Sequence, residues 1–200
     1  MCPLAAVQEK LSPPDSRDQA IVVQRLNGPV TLDGLSTEPA WQKIPSLPMV
    51  MQSPNFGGSP SEKTEVLLGF DDEYLYIAGR LYDKEPDKIQ SPSKKRDYMG
   101  ANTDWFGVIF DTFNDKENGL GFFTTPSGLR WDGAVFNDGV ARLPNEMPIN
   151  LSWNTFWDVE TVQNNEGWFV EMRIPFSSLR FQDREGSVTM GLLVWRWIPR

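Results

Sequence analysis

The chain has 200 residues, with 27 acidic and 19 basic side chains, a formal net charge of −8, one cysteine and no histidine. The missing histidine excludes a Ser-His-Asp triad and histidine metal ligands, and one cysteine excludes an intrachain disulfide and cysteine zinc clusters. The acidic balance argues against nucleic acid and anionic membranes as partners, because both attract a basic face. What remains is an acidic chain with eight tryptophans.

The first 20 residues lack hydrophobic periodicity and contain Pro3, Pro13 and Pro14. This composition predicts a disordered tail. Leu4 to Gln8 is similar to the end of a secretory signal. The alternative interpretation is that the chain simply begins at an arbitrary position. Residues 21–200 are predicted to form one domain, and no apolar run approaches the roughly 18 residues that a membrane-spanning helix requires.

The sequence of this domain predicts short strands joined by turns. Alternating apolar residues predict strands over 66–70, 74–82, 104–113, 120–125, 129–136, 156–162, 168–174 and 187–198. Asn114–Gly119 and Asn164–Gly167 are typical of hairpin turns, because Asn and Gly tolerate a positive φ. Short helical turns are predicted near 38–43 and 175–179. The fold class is therefore all-β, an antiparallel β-sandwich of the jelly-roll or immunoglobulin-like two-sheet type.

Two longer stretches, 84–103 and 138–154, show no periodic pattern. Long loops on a β-sandwich are where binding residues usually lie. We therefore expect a ligand site near one of these loops.

Four segments carry a resemblance to a known family. They are Leu32–Trp41 (LDGLSTEPAW), Thr64–Asp83 with the central run DDEYLYI, Asp104–Asp111 with the turn that follows it, and Gly167–Phe176 (GWFVEMRIPF). Each motif is short, but together, in this order over residues 25–198, they resemble the family 9 carbohydrate-binding module. The similarity is to its divergent form, found at the start of long bacterial envelope proteins.

The resemblance implies a β-sandwich that holds a sugar ring between two tryptophans, often with structural calcium, and that performs no chemistry. It also implies a secreted, periplasmic or cell-surface location. The C-terminal region of a longer parent chain would then be a partner, beside a poly- or oligosaccharide.

The chain departs from the sugar-binding members at residues that bind the sugar. Aligned through Asp104 and Asp111, the first clamping tryptophan falls near Ala101, and a sugar-binding glutamate falls at Gly107. Arg130 matches the family's sugar-contacting arginine. The second clamping tryptophan would lie beyond the last strand, whereas Trp195 and Trp197 here stand in a strand-like context.

Exposed indoles beside polar side chains suit a sugar, because a sugar ring has apolar C–H faces and hydroxyl edges. The candidate ligand-binding residues are Trp105, Trp131, Trp153, Trp157, Arg96, Asp104, Arg130 and Asn137. For each tryptophan the alternative is packing in the core, which is the prediction for Trp41 and Trp168.

Asp111, Asn114, Asp115 and Asn118 place four oxygen donors within eight residues. Calcium takes about six to eight oxygen ligands, so this turn is a candidate structural calcium site. The alternative is an Asx-rich hairpin turn without metal.

The sequence thus predicts a non-catalytic carbohydrate-binding module in a larger polysaccharide-processing or envelope protein. One alternative is a structural or docking domain at the N-terminus of an outer-membrane protein, with the same sandwich and no sugar site. A more distant alternative is a glycoside hydrolase, which needs two carboxylates about 5–9.5 Å apart. No motif singles out such a pair.

Overall fold

The computed structural model describes residues 20–141 and 148–200. The strands in these ranges are β1 (Gln24–Arg25), β2 (Thr64–Phe70), β3 (Tyr74–Tyr82), β4 (Trp105–Asp111), β5 (Gly119–Thr124), β6 (Trp131–Val135), β7 (Ile149–Asn150), β8 (Asp158–Asn164), β9 (Gly167–Pro175) and β10 (Gly191–Trp197). The helical elements of the described ranges are single 3₁₀ turns at Pro39–Trp41, Pro86–Lys88, Asn137–Gly139 and Phe176–Ser178. No helix in this part of the chain is long and apolar enough to cross a membrane.

The strands form two sheets of five. The first sheet has the order β1-β2-β3-β9-β8, and the second has the order β10-β4-β5-β6-β7. All strand pairs are antiparallel except the short pair of β1 with β2. The predicted all-β sandwich is confirmed, with β1, β7 and the parallel pair as additions that the sequence pattern did not indicate.

The core lies between the two sheets. Alternate residues of the central strands point inward, as period two requires: Leu75, Ile77 and Leu81 from β3, and Phe106, Val108 and Phe110 from β4. In β9 the inward set is Trp168, Val170, Met172 and Ile174. These are the faces that the alternation in the sequence predicts.

A second, smaller core covers the outer face of the first sheet. Its buried members are Leu26, Ala40, Trp41, Ile44, Leu67, Tyr76 and Ala78. The segment that precedes β2 therefore packs over this sheet, which is why both faces of β3 are buried. Trp41 and Trp168 are both core residues, as predicted.

Glu171 fastens this covering segment to the sheet. Its side chain is buried in β9, where one carboxylate oxygen accepts the Trp41 indole N–H at 3.0 Å and the other accepts the backbone N–H groups of Asp33 and Gly34 at 3.1 Å. Burial raises the pKa of Glu171 to about 7, although these hydrogen bonds act in the opposite direction. Gly34 has a φ of +87°, and a Cβ there would lie 3.0 Å from the backbone of Thr161, so this approach to the sheet requires glycine. The motif that spans Leu32–Trp41 is thus a structural anchor.

The predicted tail at 1–20 lies outside the described residues except for Ala20, and so does part of the predicted 138–154 loop.

Candidate functional site

The outer face of the second sheet is open where the first sheet is covered. Because Phe106, Val108 and Phe110 of β4 point into the core, Trp105, Gly107 and Ile109 point outward. The strand register extends this face across the sheet. We call it the aromatic face and define it by Trp105, Ile109, Phe123, Trp131, Val135, Ile149, Leu193, Trp195 and Trp197, with Gly107, Gly121 and Gly133 between them.

The most exposed part of the aromatic face lies along the edge strand β10. Trp195 and Trp197 are 48% and 46% exposed, and Leu193 beside them is also exposed. In the antiparallel register Trp197 lies opposite Trp105, and Trp195 lies opposite Gly107. Three indoles therefore share one end of the face, and β10 has no neighbouring strand on its other side among the described residues.

The glycines of this face are covered by rings from adjacent strands. A Cβ at Gly107 would overlap the ring of Phe123, and a Cβ at Gly133 would lie 3.3 Å from the ring of Trp131. Phe123 and Trp131 meet edge to face with centroids 5.1 Å apart. Trp131 is consequently only 4% exposed, although it belongs to the outer face, and its indole N–H has no hydrogen-bond partner in the described structure.

The loop before β4 lies across one end of the second sheet. Asp97 donates its backbone N–H to the carbonyl of Arg130. Asp104 donates its backbone N–H to the carbonyl of Gln90 at 2.9 Å, and the Asp104 carboxylate accepts the backbone N–H of Gln90 at 2.8 Å. A cavity of about 570 Å³ is lined by Gln90, Ser91, Pro92, Tyr98, Ala101 and Asn102. Hydroxyl and amide groups therefore stand close in sequence to Trp105, at the beginning of β4.

Several predicted ligand residues meet in a buried polar network around Asp132. One Asp132 oxygen accepts hydrogen bonds from Arg96 and from the Trp157 indole, and the other accepts the backbone N–H of Thr155 at 2.9 Å. Arg130 donates to the carbonyl of Trp157 at 2.9 Å. Arg96, Arg130 and Trp157 are thus brought together, but their polar atoms hold loops in place.

Trp157 and Trp153 pack against the core. Trp157 is 2% exposed, and its ring centroid lies 5.6 Å from that of Phe122. Trp153 is half-buried on the same phenyl ring at 6.0 Å. A ligand therefore has no free Trp157 surface to stack on, and sequence position alone did not distinguish it from an exposed indole.

Asp104 lies in a second buried charged cluster. Arg200 pairs with both Asp104 and Asp83, and Arg196 lies 3.9 Å from Asp83 while donating to the carbonyl of Tyr82. Burial raises the pKa of Asp104 and lowers that of Arg196 to about 10. These pairs join the start of β4 to the end of β10, so they hold Trp105 and Trp197 beside each other.

Asn137 lies apart from these groups, in the 3₁₀ turn after β6, with a φ of +55°. Its left-handed conformation suits the turn, because Asn adopts positive φ more readily than most residues. No described contact joins it to the aromatic face.

The predicted calcium turn is held by its own hydrogen bonds. The two Asp111 oxygens accept the backbone N–H groups of Asp115 and Lys116. One Asp115 oxygen accepts the N–H groups of Glu117 and Asn118, and the other accepts the Asn118 side chain at 2.9 Å. The described residues contain no group of three or more acidic, histidine or cysteine side chains placed to hold a metal. The donors as arranged cap the turn, and calcium binding here stays an untested prediction.

Trp195 and Trp197 were not among the predicted ligand residues. Their signal was present as the alternation of Leu193, Trp195 and Trp197 within a predicted strand. Alternation shows that these residues share a face, but not whether that face is the inner or the outer one.

Comparison with solved structures finds the same fold in family 9 carbohydrate-binding modules from Caldicellulosiruptor kristjanssonii. The module in complex with cellotriose is 15% identical over 85% of this chain and 73% of that one, with a TM-score of 0.52. The module in complex with glucose is 16% identical over 85% and 74% of the two chains, with a TM-score of 0.54. No protein-family model and no curated protein matches the sequence. The resemblance seen in the four motifs is thus confirmed for the fold, which is that of these modules.

Proposed function

We propose that this domain is a non-catalytic carbohydrate-binding module and that the aromatic face is its binding surface. The observation that carries the proposal is the exposed group of Trp195 and Trp197 with Trp105 opposite. The C–H faces of a sugar ring bury apolar area against an indole, which offers a large rigid surface at a low entropic cost.

The fold supports this assignment. The similar modules from Caldicellulosiruptor kristjanssonii are described in complex with cellotriose and with glucose. Fold alone does not establish function, so the proposal depends on the exposed indoles as well.

A non-catalytic role agrees with the chemistry of the face. Among its outward-facing strand residues in the described ranges, Asp111 is the one charged side chain, and both of its oxygens accept N–H groups of the turn. Glycoside hydrolysis needs two carboxylates on either side of the scissile bond. The polar contribution to binding would come from the neighbouring loop, through Tyr98 and Asn102.

The test measures binding of the chain to a panel of soluble oligosaccharides by calorimetry and to insoluble polysaccharides by co-sedimentation. We expect binding to at least one glycan and at least a tenfold loss of affinity in Trp195→Ala and Trp197→Ala. Phe156→Ala is the matched control, because Phe156 is 88% exposed but precedes β8 in the first sheet. Binding to no glycan, or equal losses in all three variants, would refute the proposal.

We propose further that the domain works as part of a larger polysaccharide-processing or envelope protein, in a secreted, periplasmic or cell-surface location. A docking role without sugar is the second candidate, because the aromatic face is apolar and such faces also bind proteins. Light scattering would distinguish the two. Self-association that is lost in Trp195→Ala, in a chain that binds no glycan, would favour docking.

A further inference from the structure

In the described part of the chain, the cavity of about 570 Å³ belongs to the loop before β4, whereas the glycine positions on the strands of the aromatic face are covered by side chains. We infer that the aromatic face binds the surface of an insoluble polysaccharide, where several chains lie side by side, rather than one soluble sugar. This inference rests on the proposed function and names the class of ligand.

The glycines explain why the face is filled. Three positions without side chains, Gly107, Gly121 and Gly133, would by themselves leave a trough across β4, β5 and β6. The ring of Phe123 occupies the space above Gly107 and lies 3.2 Å from where a Gly121 Cβ would be, and Trp131 lies over Gly133. The trough is therefore filled by side-chain carbon, and because Trp131 is only 4% exposed, the most accessible apolar surface lies on the β10 side of the face.

Among the described strand residues of this surface, the polar groups needed to recognise one sugar in solution are missing. A bound ring gives up hydrogen bonds from its hydroxyls to water, and an unmatched loss weakens binding. The Trp131 indole N–H is buried, and the oxygens of Asp111 are engaged. The groups that remain belong to the loop at one end, so most of the face contributes apolar contact alone.

Apolar contact increases with the area covered, which favours an extended ligand. From β10 to β7 the face spans four strand spacings, or about 19 Å, and from Leu193 to Trp197 it runs about 14 Å along the strand. One sugar ring would cover only part of this area. A solid polysaccharide presents many C–H faces at once, and its chains are already ordered, so binding loses little ligand entropy.

The experiment compares two forms of the same polymer. Wild type, Trp195→Ala, Trp197→Ala and the Phe156→Ala control are incubated with crystalline cellulose and with crystalline chitin, and the free protein is measured after sedimentation. The same proteins are titrated calorimetrically with cellotriose and chitotriose, and each soluble sugar is added at millimolar concentration to the sedimentation assay as a competitor.

We expect saturable adsorption to at least one solid, a loss of at least tenfold in both tryptophan variants, and no displacement by the soluble sugars. Tryptophan-dependent binding of a soluble trisaccharide that displaces the protein from the solid would overturn this inference and leave the proposed function intact. Binding to neither form would refute the proposed function itself. Glycan-independent self-association through the same tryptophans would overturn the inference in favour of a protein partner.

Discussion

The two outer faces of this sandwich differ in how far other segments of the chain cover them. On the first sheet, residues 26–47 pack across β2 and β3, and Trp41 is buried there with its indole N–H bonded to Glu171. On the second sheet nothing in the described residues covers β10, and Trp195 and Trp197 remain half exposed. The same residue type thus stabilises the fold on one side and is free to bind on the other, and burial separates the two roles.

The sharpest test of this contrast is a pair of matched tryptophan substitutions. Trp41→Ala should lower the free energy of unfolding by about 3–5 kcal/mol, because it empties a buried site and removes a hydrogen-bond donor from Glu171. Trp197→Ala should change it by about 1 kcal/mol or less, since surface substitutions have small effects. Urea denaturation of both variants gives the comparison, and a Trp197→Ala loss as large as that of Trp41→Ala would show that the aromatic face is structural.

Glu171 provides a second test, on the covered side. Glu171→Gln should destabilise the chain by about 1–3 kcal/mol, because an amide nitrogen cannot accept the backbone N–H groups of Asp33 and Gly34. The carboxyl has a folded pKa raised to about 7 from an ordinary 4.5, so its contribution is fully present below pH 4.5 and is lost as the pH rises through 7.

The stability difference between wild type and Glu171→Gln should therefore shrink between pH 5 and pH 8. The stability difference between the two proteins is the quantity to measure. Carboxylates whose pKa is lowered, such as Glu65 and Asp71, stabilise the fold less in acid, but this loss is the same in both proteins and cancels in the difference. A stability difference that grows with pH would mean that the three hydrogen bonds lower the pKa of Glu171 more than burial raises it. The folded state would then favour the ionised carboxylate.

The open side has its own structural requirement at Gly107. A Cβ there would overlap the ring of Phe123 and approach the carbonyl oxygen of Phe122, so Gly107→Ala should cost about 1–3 kcal/mol by overpacking. Gly121→Ala is the milder control, because its nearest neighbours would lie at 3.2 and 3.5 Å. In thermal denaturation, the melting temperature of Gly107→Ala should be lower than that of Gly121→Ala. The reverse order would show that Phe123 moves aside easily.

The sequence predicts the strands well and the surfaces poorly, for one physical reason. Alternation assigned Phe106, Val108 and Phe110 to one face and Trp105 to the other, because period two follows from strand geometry. It did not predict that residues 26–47 would cover the first sheet while the second stayed open, since that depends on which segments meet in three dimensions.

The site residues show the same limit. Trp157 and Trp131 were candidate ligand residues with core packing as the alternative, and both are buried. The Trp157 indole donates to Asp132, and Trp131 packs against the ring of Phe123. Arg130, Arg96 and Trp157 were each predicted to bind ligand, and the structure joins them in one polar network around Asp132. Trp195 and Trp197 alternate within a predicted strand, and only the strand order shows that this strand is an exposed edge.

The smallest expected effect concerns calcium at the turn after β4. The carboxylate oxygens of Asp111 and Asp115 already accept N–H groups, and these bonds lower the pKa of Asp115. A calcium ion would compete with these hydrogen bonds for the same oxygens, so we expect excess calcium to change the melting temperature little relative to a chelator. A ligand that prefers the folded state raises that temperature. A calcium-dependent rise that disappears in Asp111→Asn would instead show that the turn binds the ion and that a metal supports this end of the second sheet.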